Sequence, residues 1–219
     1  MKFHIIEQIA LVAFLFSGIS FFLYQLLLRL KIVLKGKLDF SIEDLPKRLL
    51  RVFDEVILHK KVASGKRKSS GILHAFVMYG FIFFGLITIN HFLTAFDLYI
   101  FNDSIRKNYF YFFGAPWAIL CTTGILGLAY RRFIIKPETL GKFSATSALV
   151  TVFITTLMIT YLIDEIHHLN PFMNNVGAKI NWWLHSGVIG GFLFLIPKSK
   201  HMHLVLSPFN IFLRPFEIP

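Results

Sequence analysis

Five long apolar runs alternate with short polar stretches along the chain, at about residues 8–30, 72–96, 112–130, 143–165 and 180–197. A bilayer-spanning helix needs about 17–25 such residues. Its backbone must be hydrogen-bonded within the segment, so each run predicts a transmembrane helix. The expected fold is all-α and integral to a membrane, a single domain over residues 1–219 with no internal repeat. Phe143 is expected to open the fourth helix, after a loop with Pro137 and Gly141, and Asn170-Pro171 to open the loop that follows it. The first run is too long for a signal-peptide core, and its basic residues follow it, which predicts an uncleaved anchor.

The polar stretches orient these helices. Residues 31–71 carry a net +6, residues 131–142 carry +3 and the tail after residue 197 carries +2. On the other side, residues 97–111 sum to zero and residues 164–180 to −1. Cationic loops stay cytoplasmic, so the N-terminus is expected outside and the C-terminus in the cytoplasm, in a bacterial or archaeal cytoplasmic membrane. Within the first cytoplasmic loop, Asp44-Leu45-Pro46 reads as a helix start. Leu49, Leu50, Val52, Phe53, Val56 and Ile57 then give it an apolar face. A short amphipathic helix on the inner membrane surface is expected, as a lipid anchor or a docking surface. Lys66-Arg67-Lys68 is expected to cap the inner end of the second helix.

Composition narrows the chemistry. Of 219 residues, 55% are hydrophobic, and the mean hydropathy is +0.63, far above a soluble domain. The net charge of +11 lies in the loops without interleaved aromatics, which argues against nucleic acid. The one cysteine, Cys121, lies in an apolar run and is expected to be a small packing residue. A single cysteine makes no internal disulfide and ligates no iron–sulfur cluster, and covalent haem attachment needs a Cys-x-x-Cys-His motif that is absent.

Nine histidines are the plentiful chemical resource. Ionisable groups inside a membrane are costly, and neutral histidine is a common axial ligand of haem iron. His185 and His203 are eighteen residues apart. On one ideal helix they share a face and stand about 27 Å apart, close to the thickness of the hydrocarbon core. On the second helix, His74 lies at the inner end and His91 at the outer end. The two helices run in opposite directions, so His74 is level with His203 and His91 with His185. That arrangement suits two b-type haems stacked across the membrane. Seventeen residues leave His91 about 100° around the helix from His74, so the outer ligand is alternatively His167 or His168. These two follow Asp164-Glu165, and the four residues form a polar cluster suited to a quinone headgroup and its protons, or simply a solvated helix end. Gly80, Gly85, Gly187, Gly190 and Gly191 leave room for a flat ring or for close helix contact. Arg131, Arg132 and Lys200 lie where propionates would point, while His4, His59 and His201 read as surface residues, with His201 a rival inner ligand.

The run Leu184-His185, then Pro197, Ser199, Lys200 and His203, resembles the last helix of the gamma subunit of respiratory nitrate reductase, with Lys200 in place of an arginine. A second resemblance rests on Arg51-Val52-Phe53-Asp54-Glu55-Val56-Ile57-Leu58-His59-Lys60-Lys61, Gly71-x-x-His74, Tyr79-Gly80-Phe81, Lys198 to His203, and Asn210-Ile211-Phe212-Leu213-Arg214-Pro215. These segments are similar to the membrane domain of heterodisulfide-reductase-related iron–sulfur proteins. The resemblances imply a di-haem cytochrome b subunit that exchanges electrons with menaquinone or ubiquinone near the outer haem. They also imply a cytoplasmic iron–sulfur partner, with electron-transfer flavoprotein upstream. In the second family a cysteine-rich cluster domain commonly follows on the same chain. None lies within these 219 residues, so a separate subunit or a further domain is expected to carry the cluster.

Two other classes compete. A histidine-lined transporter or metal permease is disfavoured by the lack of a repeat. A histidine-dependent di-iron hydroxylase needs its histidines on one face, whereas here they divide between the two ends.

Overall fold

The computed structural model describes residues 2–35, 42–58 and 68–216, and all regular structure among them is helical. His59, Lys60, Lys61, Lys66 and Arg67 of the first basic loop lie outside the described residues. The chain forms α1 (Ile5–Val33), α2 (Leu45–Val52), α3 (Lys68–Leu93), α4 (Asp103–Tyr109), α5 (Ala115–Tyr130), α6 (Ala145–Leu169), α7 (Asn175–Leu195) and α8 (His203–Leu213).

Four stretches are long and apolar enough to cross a membrane: α1, α3 with its short extension to Phe96, the run Asp103–Ile135, and α6. The fifth candidate is α7, which meets that standard only together with the segment Lys200–Leu213. That segment is bent away from α7 by 90°.

The third span differs most from expectation. It starts at Asp103, nine residues before the first apolar position counted from the sequence. Asn102 caps it, its side chain accepting from the Ile105 amide at 2.9 Å, which lets a polar turn begin the helix. The span runs on through one π turn, Phe110–Gly114, and ends in another, Arg131–Ile135. The fourth span starts at Ala145, behind Ser144 rather than Phe143, because the Ser144 hydroxyl accepts from the Ser147 amide.

Successive spans alternate in direction along the chain, so that α1 and α7 run parallel. α3 packs on α5, α5 on α6, α6 on α7, and α7 on α1. Small residues set the closest approaches. A Cβ at Gly80 would lie 2.9 Å from Cys121 Sγ, and one at Gly124 would lie 2.7 Å from the Leu73 carbonyl. Cys121 is buried there as a packing residue. α3 and α7 are not a closely packed pair among the described elements, so the helices form an arc. One end of the arc, called basic below, carries α2, α8, Arg131 and Arg132. The opposite end carries Glu7, Arg106, Asp164, Glu165 and Lys179.

The short helix in the first loop forms. Its one buried residue is Arg48, whereas Leu49, Leu50, Phe53 and Ile57 are exposed.

Candidate functional site

The structure overturns the reading of His185 and His203 as residues of one helix. α7 stops at Leu195 because buried Pro197 has no amide to continue the ladder. Ser199 then caps a new turn, its hydroxyl accepting from the His201 amide at 3.2 Å. His203 opens α8, past a right-angled bend. The residues still meet their partners: His74 and His203 have ring centroids 6.1 Å apart, and His91 and His185 have theirs 4.6 Å apart. α3 is unbroken between its two histidines, so the pairs sit at opposite ends of the bundle, about 25 Å apart along that helix.

At the basic end the ring state of His203 follows from one contact. Its Nδ1 lies 2.8 Å from the Lys200 carbonyl oxygen, which accepts only. Nδ1 therefore carries a proton, and in the neutral ring Nε2 is the lone-pair nitrogen. His201 is half-buried, not on the surface, with its ring 6.4 Å from that of His203 and its Nδ1 3.2 Å from Ser199 Oγ. Lys200 is exposed, Arg131 is half-exposed, and Arg132 has its Nε buried without a hydrogen-bond partner.

The opposite end is a side-chain network. Thr160 Oγ1 lies 2.7 Å from the Thr156 carbonyl, to which it donates its one proton. At His185, 2.7 Å away, it must then accept, which places the proton on Nδ1 and frees Nε2. Asn181 ties the Thr160 carbonyl in turn, at 2.9 Å. His91 is stacked on Trp182 at 4.8 Å, with its Nε2 3.0 Å from Ser186 Oγ. Apart from half-buried Thr156, these residues are buried.

Asp164 and Glu165 are not a solvated helix end. Arg106 donates from Nε to both Glu165 oxygens at 3.0 Å and from a terminal nitrogen to Asp164 at 2.9 Å. Glu165 is only 4% exposed. His168 lies 3.3 Å from Asp103. His167 Nδ1 accepts the amides of Phe172 and Met173 at 3.1 and 3.2 Å. The structure thus brings His91 to His185, and engages His167 and His168 elsewhere.

The four histidines, Arg106 and the two carboxylates line a cavity of about 360 Å³. Tyr161 and Trp182 also face it, and their buried Oη and Nε1 have no hydrogen-bond partner. Arg106, Thr160 and Ser186 went unnoticed in the sequence. Arg106 had one signal, a cation on the side that loop charges leave poor in cations. Thr160 and Ser186 had none, since only the fold brings a hydroxyl to a distant imidazole.

Among the described residues no three His, Cys, Asp or Glu side chains converge as a metal cage. Each histidine pair offers two imidazole donors.

Of the five glycines with room for a ring, three are helix contacts. A Cβ at Gly80, Gly190 or Gly191 would strike Cys121, Phe14 or Phe153. Gly85 and Gly187 meet nothing within 4 Å.

No family profile matches the chain, no solved structure does, and no match to a nitrate reductase gamma subunit was found. The chain is similar to the probable iron-sulfur-binding oxidoreductase FadF of Bacillus subtilis (strain 168), with 27% identity over 226 residues. The match covers 91% of this chain and 32% of that protein, so the chain spans about a third of its relative's length. The chain, helical in all regular structure among its described residues and with four to five membrane-spanning candidates, is therefore a distant relative of a probable iron-sulfur-binding oxidoreductase.

Proposed function

We propose that this chain is the membrane-embedded b-type cytochrome part of a quinone-linked oxidoreductase. Its basic end faces the cytoplasm and an iron–sulfur protein, and α7 is the fifth span. Electrons pass between that partner and menaquinone or ubiquinone.

The observation that carries the reading is the inner histidine pair. An iron about 2.0 Å from each of two imidazole nitrogens holds the ring centroids about 6 Å apart. His74 and His203, at 6.1 Å, fit that span, and His203 already presents Nε2. The buried, unpartnered Nε of Arg132 suits a propionate at the same end. When bound, haem supplies reversible one-electron chemistry at the iron.

The outer pair, at 4.6 Å, is closer than that span. A second haem there requires His91 to leave Ser186 and the rings to part by about 1.5 Å. His185 is prepared for it, because Thr160 holds its Nε2 free. Beside this pair, the unpartnered Trp182 Nε1 suits a ligand with a carbonyl oxygen, such as a quinone. Quinone reduction and quinol oxidation also move protons, for which Asp164, Glu165, His167 and His168 are the groups lining the cavity.

The test is haem content in membranes carrying His74→Ala, His203→Ala or His201→Ala. The first two are expected to lose the inner haem and the third to keep it. Full haem in the first two variants would refute the assignment.

A further inference from the structure

The placement of His203 poses a mechanical problem. The right-angled bend after α7 uncouples α8 from the helix that precedes it. Among the described elements, α8 packs closely against α2, the π turn that continues it (Phe53–Ile57) and the short turn Lys200–Met202. It packs closely against none of the spans. Something else must hold its first residue opposite His74.

The contacts identify it. Arg48, 1% exposed, donates to the carbonyls of Phe212 and Arg214 at 2.9 and 3.2 Å. Arg51 donates to the Arg214 carbonyl at 2.7 Å. These oxygens belong to the C-terminal end of α8, where a helix leaves carbonyls unsatisfied and favours cations. Arg214 returns the contact, pairing through two nitrogens with the Glu55 carboxylate. The Phe216 ring closes the junction beneath the Arg51 guanidinium, 3.8 Å away. The other side of α2 reaches α3, because Tyr79 Oη donates to the Ile57 carbonyl. Tyr79 lies five residues after His74 on the same helix.

We propose that α2 is a brace that sets the spacing of the two inner histidines, with Arg48, Arg51 and Glu55 as positioning residues that grip α8 while Ile57 is tied to α3. This explains why the buried side chain of α2 is an arginine while its leucines face outward. The consequence for haem rests on the function proposed above; the brace itself does not.

The test uses the full chain in native membranes. With His74→Cys and His203→Cys installed together, a short thiol cross-linker reports the spacing without any haem. Cross-linking is expected to be fast in this parent. It should fall about tenfold, the factor carried by ~1.4 kcal/mol, on adding Arg48→Ala or the milder Glu55→Gln. Combining Glu55→Arg with Arg214→Glu should restore it. A control pair at the opposite end, Glu7→Cys with Lys179→Cys, should be unaffected by the α2 changes. Slow cross-linking in the parent, or equal rates in parent and variants, would overturn the brace.

With both histidines intact, Glu55→Gln should make the reduced cytochrome bind carbon monoxide as His203 lets go. A haem-containing Glu55→Gln protein that excludes carbon monoxide as the wild type does would also overturn the brace. A wild-type protein without haem would instead refute the proposed function and leave the cross-linking result standing.

Discussion

The two histidine pairs are built in different ways. At the basic end, His203 is exposed, its ring state is fixed by a backbone carbonyl, and its position depends on α2 several helices back in the sequence. At the opposite end, His185 and His91 are buried, and side chains orient them: Thr160, Ser186 and Trp182. A backbone carbonyl keeps its acceptor through side-chain substitution, whereas a hydroxyl network loses an orienting group with each one. The rings of the first pair stand 6.1 Å apart, and those of the second are drawn to 4.6 Å beside a polar cavity.

The contrast yields expectations that descend in size. Removing a ligand is the largest: His203→Ala should abolish one haem, about half of the reduced-minus-oxidised absorbance if both sites fill. Next is the ion cluster at the opposite end. Arg106→Ala leaves Glu165 buried without its partner and should cost about 3 kcal/mol in thermal or denaturant unfolding, while the inner haem spectrum stays unchanged. An inner spectrum lost in parallel would show that the two ends are not independent.

Smaller again is Gly190→Ala, whose methyl meets the Phe14 ring and should cost about 1–3 kcal/mol. Gly187→Ala meets open space and should leave stability unchanged. If Gly187→Ala lowers haem content at unchanged stability, a ring lies against it. Thr160→Val removes the acceptor of the His185 Nδ1 proton. It should cost about 1–2 kcal/mol and loosen outer haem retention by about tenfold, with the inner site unaffected.

Much of this was legible in the sequence, because the strongest rules act over short distances. Apolar run length gave four spans and a fifth candidate, and antiparallel helices placed His74 level with His203 and His91 level with His185. The route to the inner pair was misread, since eighteen residues of ideal helix ignored the stop that Pro197 imposes. The polar start of the third span was missed because Asn102 supplies a cap that hydropathy does not register. Arg48 reads as one more loop cation. Only contacts more than 160 residues away in sequence reveal it as a buried residue gripping α8. The role of Arg106 likewise depends on carboxylates nearly sixty residues away.

The most direct test of the central claim is a pyridine haemochrome count on the wild-type protein, made with adequate haem supply, alongside its dithionite-reduced minus oxidised spectrum. The account predicts b-type haem, with low-spin bis-histidine absorption that His74→Ala diminishes. Protein that is folded, membrane-inserted and free of haem would contradict it.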